Sequence, residues 1–135
     1  MSRALGIDYG DVRVGISLSD PMRIIAKPLL TLENNLNLIK TIIALIDTNN
    51  ITDLVIGYPL GMKGQVTEQT KKVDDFIEKI KLDLNIPITT IDERLSSVTA
   101  KASLVKQGIK TGFNKARVDE TSAAIILQEF LDTKK

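Results

Sequence analysis

The alternation of hydrophobic and polar residues in the N-terminal third of the chain predicts three antiparallel β-strands. Residues 3–9 and 12–19 alternate with a period of two around a tight turn at Gly10, which is typical of a hairpin. A third strand is predicted over residues 24–32. Because Pro28 lacks a backbone donor, we expect that strand at an edge of the sheet.

After residue 34 the pattern changes to alternating helices and strands. The first predicted helix runs to about residue 48 and has an apolar stripe made of Leu36, Ile39, Ile43 and Ile46. The other predicted elements are a strand at 53–57, a helix with the stripe Val73, Phe76, Ile77, Ile80 and Leu84, a strand at 88–92, and helices at 95–106 and 118–131. This order, β-β-β-α-β-α-β-α-α, predicts an α/β protein with a mixed five-stranded sheet and helices on both faces. It is the order of ribonuclease-H-like folds, and we expect one domain over residues 1–135.

Composition narrows the possible chemistry. The 135 residues include no cysteine and no histidine, which excludes disulfides, thiol nucleophiles and the usual zinc ligands. Carboxylates remain, and they are the donors that Mg²⁺ prefers. The N-terminus lacks the apolar stretch of a secretory signal, so we expect a cytoplasmic protein.

Charge is distributed unevenly although the net charge is only +1. The segment from residue 94 to residue 118 contains six basic residues and no acidic one. The six are Arg94, Lys101, Lys106, Lys110, Lys115 and Arg117. Such a segment fits either a phosphate-binding face or a merely solvated surface.

Three carboxylates occupy positions where a metal site could form. Asp8 ends an apolar strand, where a cation would compensate its charge, although a turn aspartate would also fit. Glu93 and Asp92 follow the strand at 88–92, and because neighbouring side chains leave a strand in opposite directions, only one of them can easily face a site.

Asp119 shares one helix face with Ala123, Ile126 and Phe130, which points it at the sheet. Glu120 lies about 100° further round the helix and suits the helix dipole, an interpretation that also remains open for Asp119. Convergence of the three acids could hold two Mg²⁺ ions about 3.5–4 Å apart.

Four segments of the chain together resemble the bacterial family of pre-16S rRNA nucleases, also described as Holliday-junction-resolvase-like proteins with the ribonuclease H fold. The segments are G-I-D-Y-G-D-V-R-V-G-I-S, I-G-Y-P-L-G-M-K-G-Q, D-E-R-L-S-S-V-T-A and N-K-A-R-V-D-E-T-S-A-A-I-I-L. The likeness covers nearly the whole chain. The sequence departs from the family pattern at Gly61, Lys63 and Ala116. These departures concern substrate binding and loop mobility, and they leave the three acids unchanged.

The resemblance implies a nuclease dependent on Mg²⁺ or Mn²⁺, with Asp8, Glu93 and Asp119 as catalytic metal ligands. It also implies that nucleic-acid phosphates contact a set of basic residues: Arg94, Lys115 and Arg117, with Arg13 and Lys63 as weaker candidates. As substrate, the resemblance implies precursor 16S rRNA first and a four-way DNA junction as the alternative.

Three further expectations concern assembly, a loop and rival functions. No helix face has surplus apolar residues, apart from a crowded group at Leu38, Ile42 and Leu45, so we expect a monomer or weak homodimer. The glycine-rich loop over residues 58–66 is expected to be mobile and to close over substrate. The rivals are an ATP-binding fold of the actin and sugar-kinase type, which needs two lobes, and a nucleic-acid-binding module without catalysis.

Overall fold

The computed structural model of the protein describes residues 2–92 and 115–133. The strands are β1 (Arg3–Tyr9), β2 (Arg13–Ser19), β3 (Ala26–Glu33), β4 (Ile51–Tyr58) and β5 (Ile88–Asp92). The helices of this part of the chain are α1 (Leu38–Thr48), α2 (Glu68–Lys81) and α3 (Lys115–Thr133). The helix predicted over residues 95–106 lies outside the described residues. Within those residues, no helix combines the length and apolar character needed to cross a membrane.

The sheet has five strands in the order β3-β2-β1-β4-β5. Strand β1 pairs antiparallel with β2 and parallel with β4, and β5 continues the parallel half. The predicted mixed sheet is therefore confirmed, and β3 lies at an edge as its Pro28 requires. The central position of β1 puts Asp8, near its carboxyl end, in the middle of one end of the sheet.

Helix α1 begins later than its apolar pattern predicts. The Asn35 side chain accepts a hydrogen bond from the backbone N–H of Asn37 at 2.9 Å, so turn chemistry replaces the first helical turn. Leu36 is consequently outside the helix and fully exposed, at 103% of its reference area. The predicted stripe is therefore correct in part: Ile46 is buried and Ile39 packs against the core, whereas Leu36 does not. The buried residues of the helix are Leu38, Ile42 and Ile46.

Strand β3 also begins two residues later than predicted, because residues 20–25 form a turn. The carboxylate of Asp20 accepts hydrogen bonds from the backbone N–H groups of Ile24 and Ile25, at 2.8 and 2.9 Å. Arg23 has a positive φ of 58° in this turn. The backbone N–H of Ile25, with further backbone donors, lowers the pKa of Asp20 from its usual value.

The two faces of the sheet have different cores. The face covered by α1 and α2 packs large aliphatic side chains, of which Leu5, Ile7, Ile16, Ile42, Leu54, Ile56 and Ile80 are fully buried. The face covered by α3 has a smaller cluster, made of Ala4, Val55, Ile126, Leu127, Phe130 and Leu131. The first face supplies most of the buried apolar surface, and the second brings a helix close to the sheet.

Candidate active site

Side chains of β1 alternate between these two faces. Leu5 and Ile7 belong to the core under α1 and α2, whereas Ala4 packs under α3. A Cβ atom added at Gly6 would lie 2.9 Å from the carbonyl oxygen of Ala123 in α3. Because alternation continues along the strand, Asp8 faces α3 as well.

Gly15 of β2 is the strand partner of Asp8. A Cβ atom at Gly15 would overlap the carbonyl oxygen of Asp119 and would lie 2.8 Å from the backbone nitrogen of Glu120. The backbone of α3 therefore rests on the place where Gly15 has no side chain. Opposite residues of an antiparallel pair have Cβ atoms about 4.5–5.5 Å apart on one face. Asp8 and Asp119 are thus brought to the same end of the same face.

Further along α3, small residues and a hydroxyl group maintain this close approach. The hydroxyl group of Ser17 donates a hydrogen bond to the carbonyl oxygen of Ala123 at 2.8 Å, and Ser17 is buried. Sequence analysis placed Ala123 on the helix face that points at the sheet, but it did not identify Gly6, Gly15 and Ser17. An isolated glycine within a strand pattern is a usable signal, since it marks a place where another backbone comes near.

Arg13 contacts Asp119 directly. The Nε of Arg13 donates to Oδ2 of Asp119 at 2.9 Å, and both side chains are half-buried, at 36% and 26% exposed. Arg13 was expected to contact nucleic-acid phosphate, whereas the structure pairs it with a candidate metal ligand. The pair joins residues 106 positions apart in the chain, and spacing along the sequence gives no sign of it.

Glu120 also binds the sheet. Its Oε2 accepts a hydrogen bond of 3.2 Å from the hydroxyl group of Thr31 in β3. Thr31 is the β3 partner of Gly15. The interpretation of Glu120 as a residue that only complements the helix dipole was therefore incomplete, because its side chain also ties α3 to the sheet edge.

The side chains of β5 alternate between the two faces of the sheet, and this places Asp92 on the face opposite to Asp8 and Asp119. Ile88 packs against the core under α1 and α2, and Ile91 packs against the α3 core. Asp92 shares the side of Ile88 and is exposed, so it faces away from Asp8 and Asp119. Glu93 is the next residue in the chain and lies outside the described residues.

The loop after β4 folds onto itself. The backbone N–H of Gly61 donates to the carbonyl oxygen of Gln65 at 2.8 Å, and that of Gly64 donates to the carbonyl oxygen of Gly61 at 2.8 Å. Gly64 has a φ of 81°, which favours glycine. Lys63 is exposed at the tip of this turn. The expected mobility of the loop stays a prediction.

Two of the remaining basic candidates are at the start of α3. Lys115 and Arg117 belong to the first turn of α3, shortly before Asp119. Arg94 is outside the described residues. Two of the predicted phosphate contacts therefore lie in the turn of α3 that precedes Asp119, one of the predicted metal ligands.

The donor chemistry of this face fits a divalent cation. Asp8 and Asp119 supply the hard oxygen atoms that Mg²⁺ and Mn²⁺ prefer. In residues 2–92 and 115–133 there is no group of three or more histidine, cysteine, aspartate or glutamate residues that could hold a metal. The third predicted ligand, Glu93, lies outside these residues.

A cavity of about 570 Å³ opens on the other face of the sheet. Tyr9 and Phe76 are stacked there, with ring centroids 4.6 Å apart, and Lys72 and Lys79 of α2 contribute to the lining. Neither Asp8 nor Asp119 lines this cavity. The cavity and the paired acids are thus separate features on opposite faces of β1.

The fold matches solved Holliday-junction resolvases. Thermus thermophilus RuvC in complex with a Holliday junction substrate aligns with a TM-score of 0.61 at 10% identity, over 98% of this chain and 95% of that one. The Fowlpox virus resolvase bound to Holliday junction DNA gives 0.59 at 9% identity, over 98% of both chains. The protein therefore has the ribonuclease-H-like fold of the resolvases.

The sequence gives the family. The RuvX family, described as Holliday junction resolvase, matches residues 2–133. A protein of Ruminiclostridium cellulolyticum named "Putative pre-16S rRNA nuclease" is 41% identical over 96% of this chain and 94% of its own length. A protein of the same name from Roseiflexus sp. is 38% identical over 98% of this chain and 96% of its own. The chain belongs to the RuvX family of pre-16S rRNA nucleases.

Proposed function

We propose that the protein is a nuclease dependent on Mg²⁺ or Mn²⁺ that hydrolyses phosphodiester bonds in precursor 16S rRNA. The observation that carries the proposal is the position of Asp119 over Gly15, the strand partner of Asp8. Two carboxylates at one end of a sheet face carry more negative charge than the single guanidinium of Arg13 offsets, which favours binding of a divalent cation. Such a pair is typical of a cation site, and its partial exposure leaves room for a phosphate.

Asp8, Asp119 and Glu93 would hold the metal in this proposal. Asp92 is the weaker choice at the end of β5, because it lies on the side of Ile88. One or two divalent ions held by these residues would neutralise charge on the phosphodiester and lower the pKa of bound water towards neutral pH. Hydrolysis joins the water oxygen to phosphorus, breaks one P–O bond and transfers a proton to the leaving oxygen.

The protein's own residues would orient the substrate strand. Lys115 and Arg117 in the first turn of α3 would bind phosphates beside the acids, as would Arg94. Lys63 at the tip of the loop after β4 would do the same from the neighbouring strand. Contacts of this kind grip the backbone without reading bases, which suits a structured RNA.

The surface favours a monomer or weak homodimer. Symmetrical cutting of a four-way junction calls for two active sites in a stable dimer. The crowded apolar group of α1 is used internally, since Leu38 and Ile42 are buried in the core of the protein itself. This supports action on RNA rather than symmetrical cutting of a four-way junction.

A Holliday-junction resolvase is the second candidate. The description of the family and the two junction-bound structures favour it. A dimer would find apolar side chains at the β3 edge and the turn before it, where Met22, Ile24, Ile25 and Leu29 are 38–61% exposed. Variants of these residues would test that alternative.

The deciding experiment compares substrates under identical conditions. Precursor 16S rRNA, unstructured single-stranded RNA and a four-way DNA junction are incubated with Mg²⁺, with Mn²⁺ and with a chelator. We expect metal-dependent cleavage of the precursor by the wild type and none by Asp8→Asn. Symmetrical cleavage of the junction by a stable dimer, with the precursor left intact, would replace the proposal by the resolvase. Cleavage that is unchanged by the chelator would reject the metal site.

A further inference from the structure

The ion pair between Arg13 and Asp119 assigns Arg13 a second role, and this inference rests on the proposed metal site. Two half-buried arginine–aspartate pairs lie at opposite ends of the sheet. Arg13 and Asp119 are 36% and 26% exposed, and Arg23 and Asp53 are 32% and 21% exposed. Only the first pair includes a carboxylate that the proposal uses for metal binding.

The contact involves one oxygen of the carboxylate. The Nε of Arg13 binds Oδ2 of Asp119 at 2.9 Å, rather than the two terminal nitrogens binding both oxygens. Arg13, Gly15 and Ser17 share the α3 side of β2, because the intervening Val14 and Ile16 lie in the opposite core. The guanidinium is therefore at the rim of the face on which Asp8 lies.

Charge explains why this pair forms. Asp8 and Asp119 bring two negative charges to one end of one face, and a guanidinium beside Asp119 offsets part of their repulsion. A divalent cation at the same carboxylates would repel the guanidinium and take over the neutralisation. Arg13 and the cation thus compete for Asp119.

The guanidinium released by this competition can bind the substrate phosphate. A phosphodiester brought to the metal carries its negative charge to the same rim, and arginine binds phosphate oxygens well through its planar group. We propose that Asp119 exchanges Arg13 for a divalent cation, and that the freed guanidinium then binds the substrate phosphate. Metal binding and phosphate binding by Arg13 are therefore coupled, and the coupling is reciprocal.

The first test measures metal affinity and stability without nuclease activity. Mn²⁺ binding is measured by titration calorimetry, and thermal unfolding is measured in chelator, for the wild type, Arg13→Ala and Arg13→Gln. We expect both variants to melt at a lower temperature without metal and to bind Mn²⁺ more tightly, by about fivefold or more. Arg13→Gln keeps a donor and loses the charge, so it also serves if Arg13→Ala folds poorly.

Arg23→Ala is the matched control, because it breaks the equivalent pair at the other end of the same sheet. It should lower the melting temperature and leave the Mn²⁺ dissociation constant unchanged. Unchanged or weaker Mn²⁺ binding in both Arg13 variants would overturn the exchange and leave Arg13 a structural residue. Absence of Mn²⁺ binding by the wild type would instead reject the metal site, and the exchange with it.

The second test follows the released guanidinium. Affinity for precursor rRNA is measured in chelator and in Ca²⁺, which occupies carboxylate sites and does not support cleavage in most Mg²⁺ enzymes. Arg13→Ala should bind RNA like the wild type in chelator and several-fold more weakly in Ca²⁺. An equal loss in both conditions would mean that Arg13 contacts phosphate without any exchange, and would overturn the proposal.

Discussion

The two faces of the sheet show how one small protein separates stability from chemistry. The face under α1 and α2 is filled with large aliphatic side chains that are fully buried. The face under α3 carries Gly6, Gly15 and Ser17, and it ends in two acids and an arginine. The large side chains lower the free energy of the fold, whereas the small ones let a helix backbone carry Asp119 to the strand of Asp8.

This division has a consequence for mutations. Substitutions on the first face should change the free energy of unfolding and leave metal binding alone. Substitutions at the acid end of the second face should change metal binding. The following variants test that separation, beginning with the largest expected effect.

Asp8→Asn should abolish metal-dependent cleavage and leave the protein folded. Removing one charge from a pair of acids relieves repulsion in the absence of metal, so the melting temperature in chelator should be unchanged or higher. Glu93→Gln should lose activity in the same way. Cleavage rates and thermal unfolding are measured side by side, with Glu120→Gln as the control, since its amide can still accept from Thr31. Full activity in Asp8→Asn would refute the site.

Ile42→Ala should have the largest effect on stability. Ile42 is fully buried in α1, on the face away from the acids. Loss of a buried aliphatic side chain of this size costs about 2–5 kcal/mol. Urea unfolding measures that cost, and Mn²⁺ titration of the folded variant should give the wild-type dissociation constant. A change in Mn²⁺ affinity comparable to the change in stability would show that the two faces are not independent.

Gly15→Ala tests the close contact between strand β2 and the backbone of α3 at Asp119. The new methyl group would overlap the carbonyl oxygen of Asp119, which is backbone and cannot rotate away. Overpacking of this kind costs about 1–3 kcal/mol, and the displaced helix should also weaken Mn²⁺ binding. Gly61→Ala is the control, because a methyl group there meets only the flexible side chain of Gln65. Unaltered Mn²⁺ affinity in Gly15→Ala would mean that Asp119 is not a ligand.

Much of this architecture could be predicted from the sequence, because the deciding signals are local. Periodicity gives the strands, the order of strands and helices along the chain, and the helix face on which Asp119 lies. The predictions that failed depend on side-chain hydrogen bonds in turns and on tertiary contacts, which the periodicity of the sequence does not reveal. Asn35 turns the chain where Leu36 seemed to belong to a helix, and the pair of Arg13 with Asp119 depends on tertiary packing. Asp92 could be separated from the α3 face only after Ile88 and Ile91 were assigned to their cores.

Arg117→Ala should weaken nucleic-acid binding, because it removes a proposed phosphate contact at the start of α3. A lost phosphate contact should reduce affinity for unrelated RNA sequences by similar factors and lower the slope of log affinity against log salt by about 1. Lys71→Ala is the control, because Lys71 is exposed on α2, on the other face, and pairs with Glu68 at 3.4 Å. Binding is measured by fluorescence anisotropy at several salt concentrations. An equal loss in both variants would argue against a preferred face.

Asp20→Asn should have the smallest effect, at the end of the sheet away from the acids. Backbone N–H groups, that of Ile25 foremost, hold the pKa of the Asp20 carboxyl below its usual 3.8. The charged form is therefore favoured in the folded protein, so its stabilisation is present above the usual pKa and disappears as pH falls through the lowered pKa. Asparagine keeps an acceptor for Ile24 and Ile25 but does not titrate. The free energy of unfolding, measured with urea, should consequently be slightly larger for the wild type than for Asp20→Asn at pH 7. This gap between the two proteins should close in acid. A gap that stays constant down to the lowest pH at which the protein folds would show that the charge of Asp20 does not stabilise the turn.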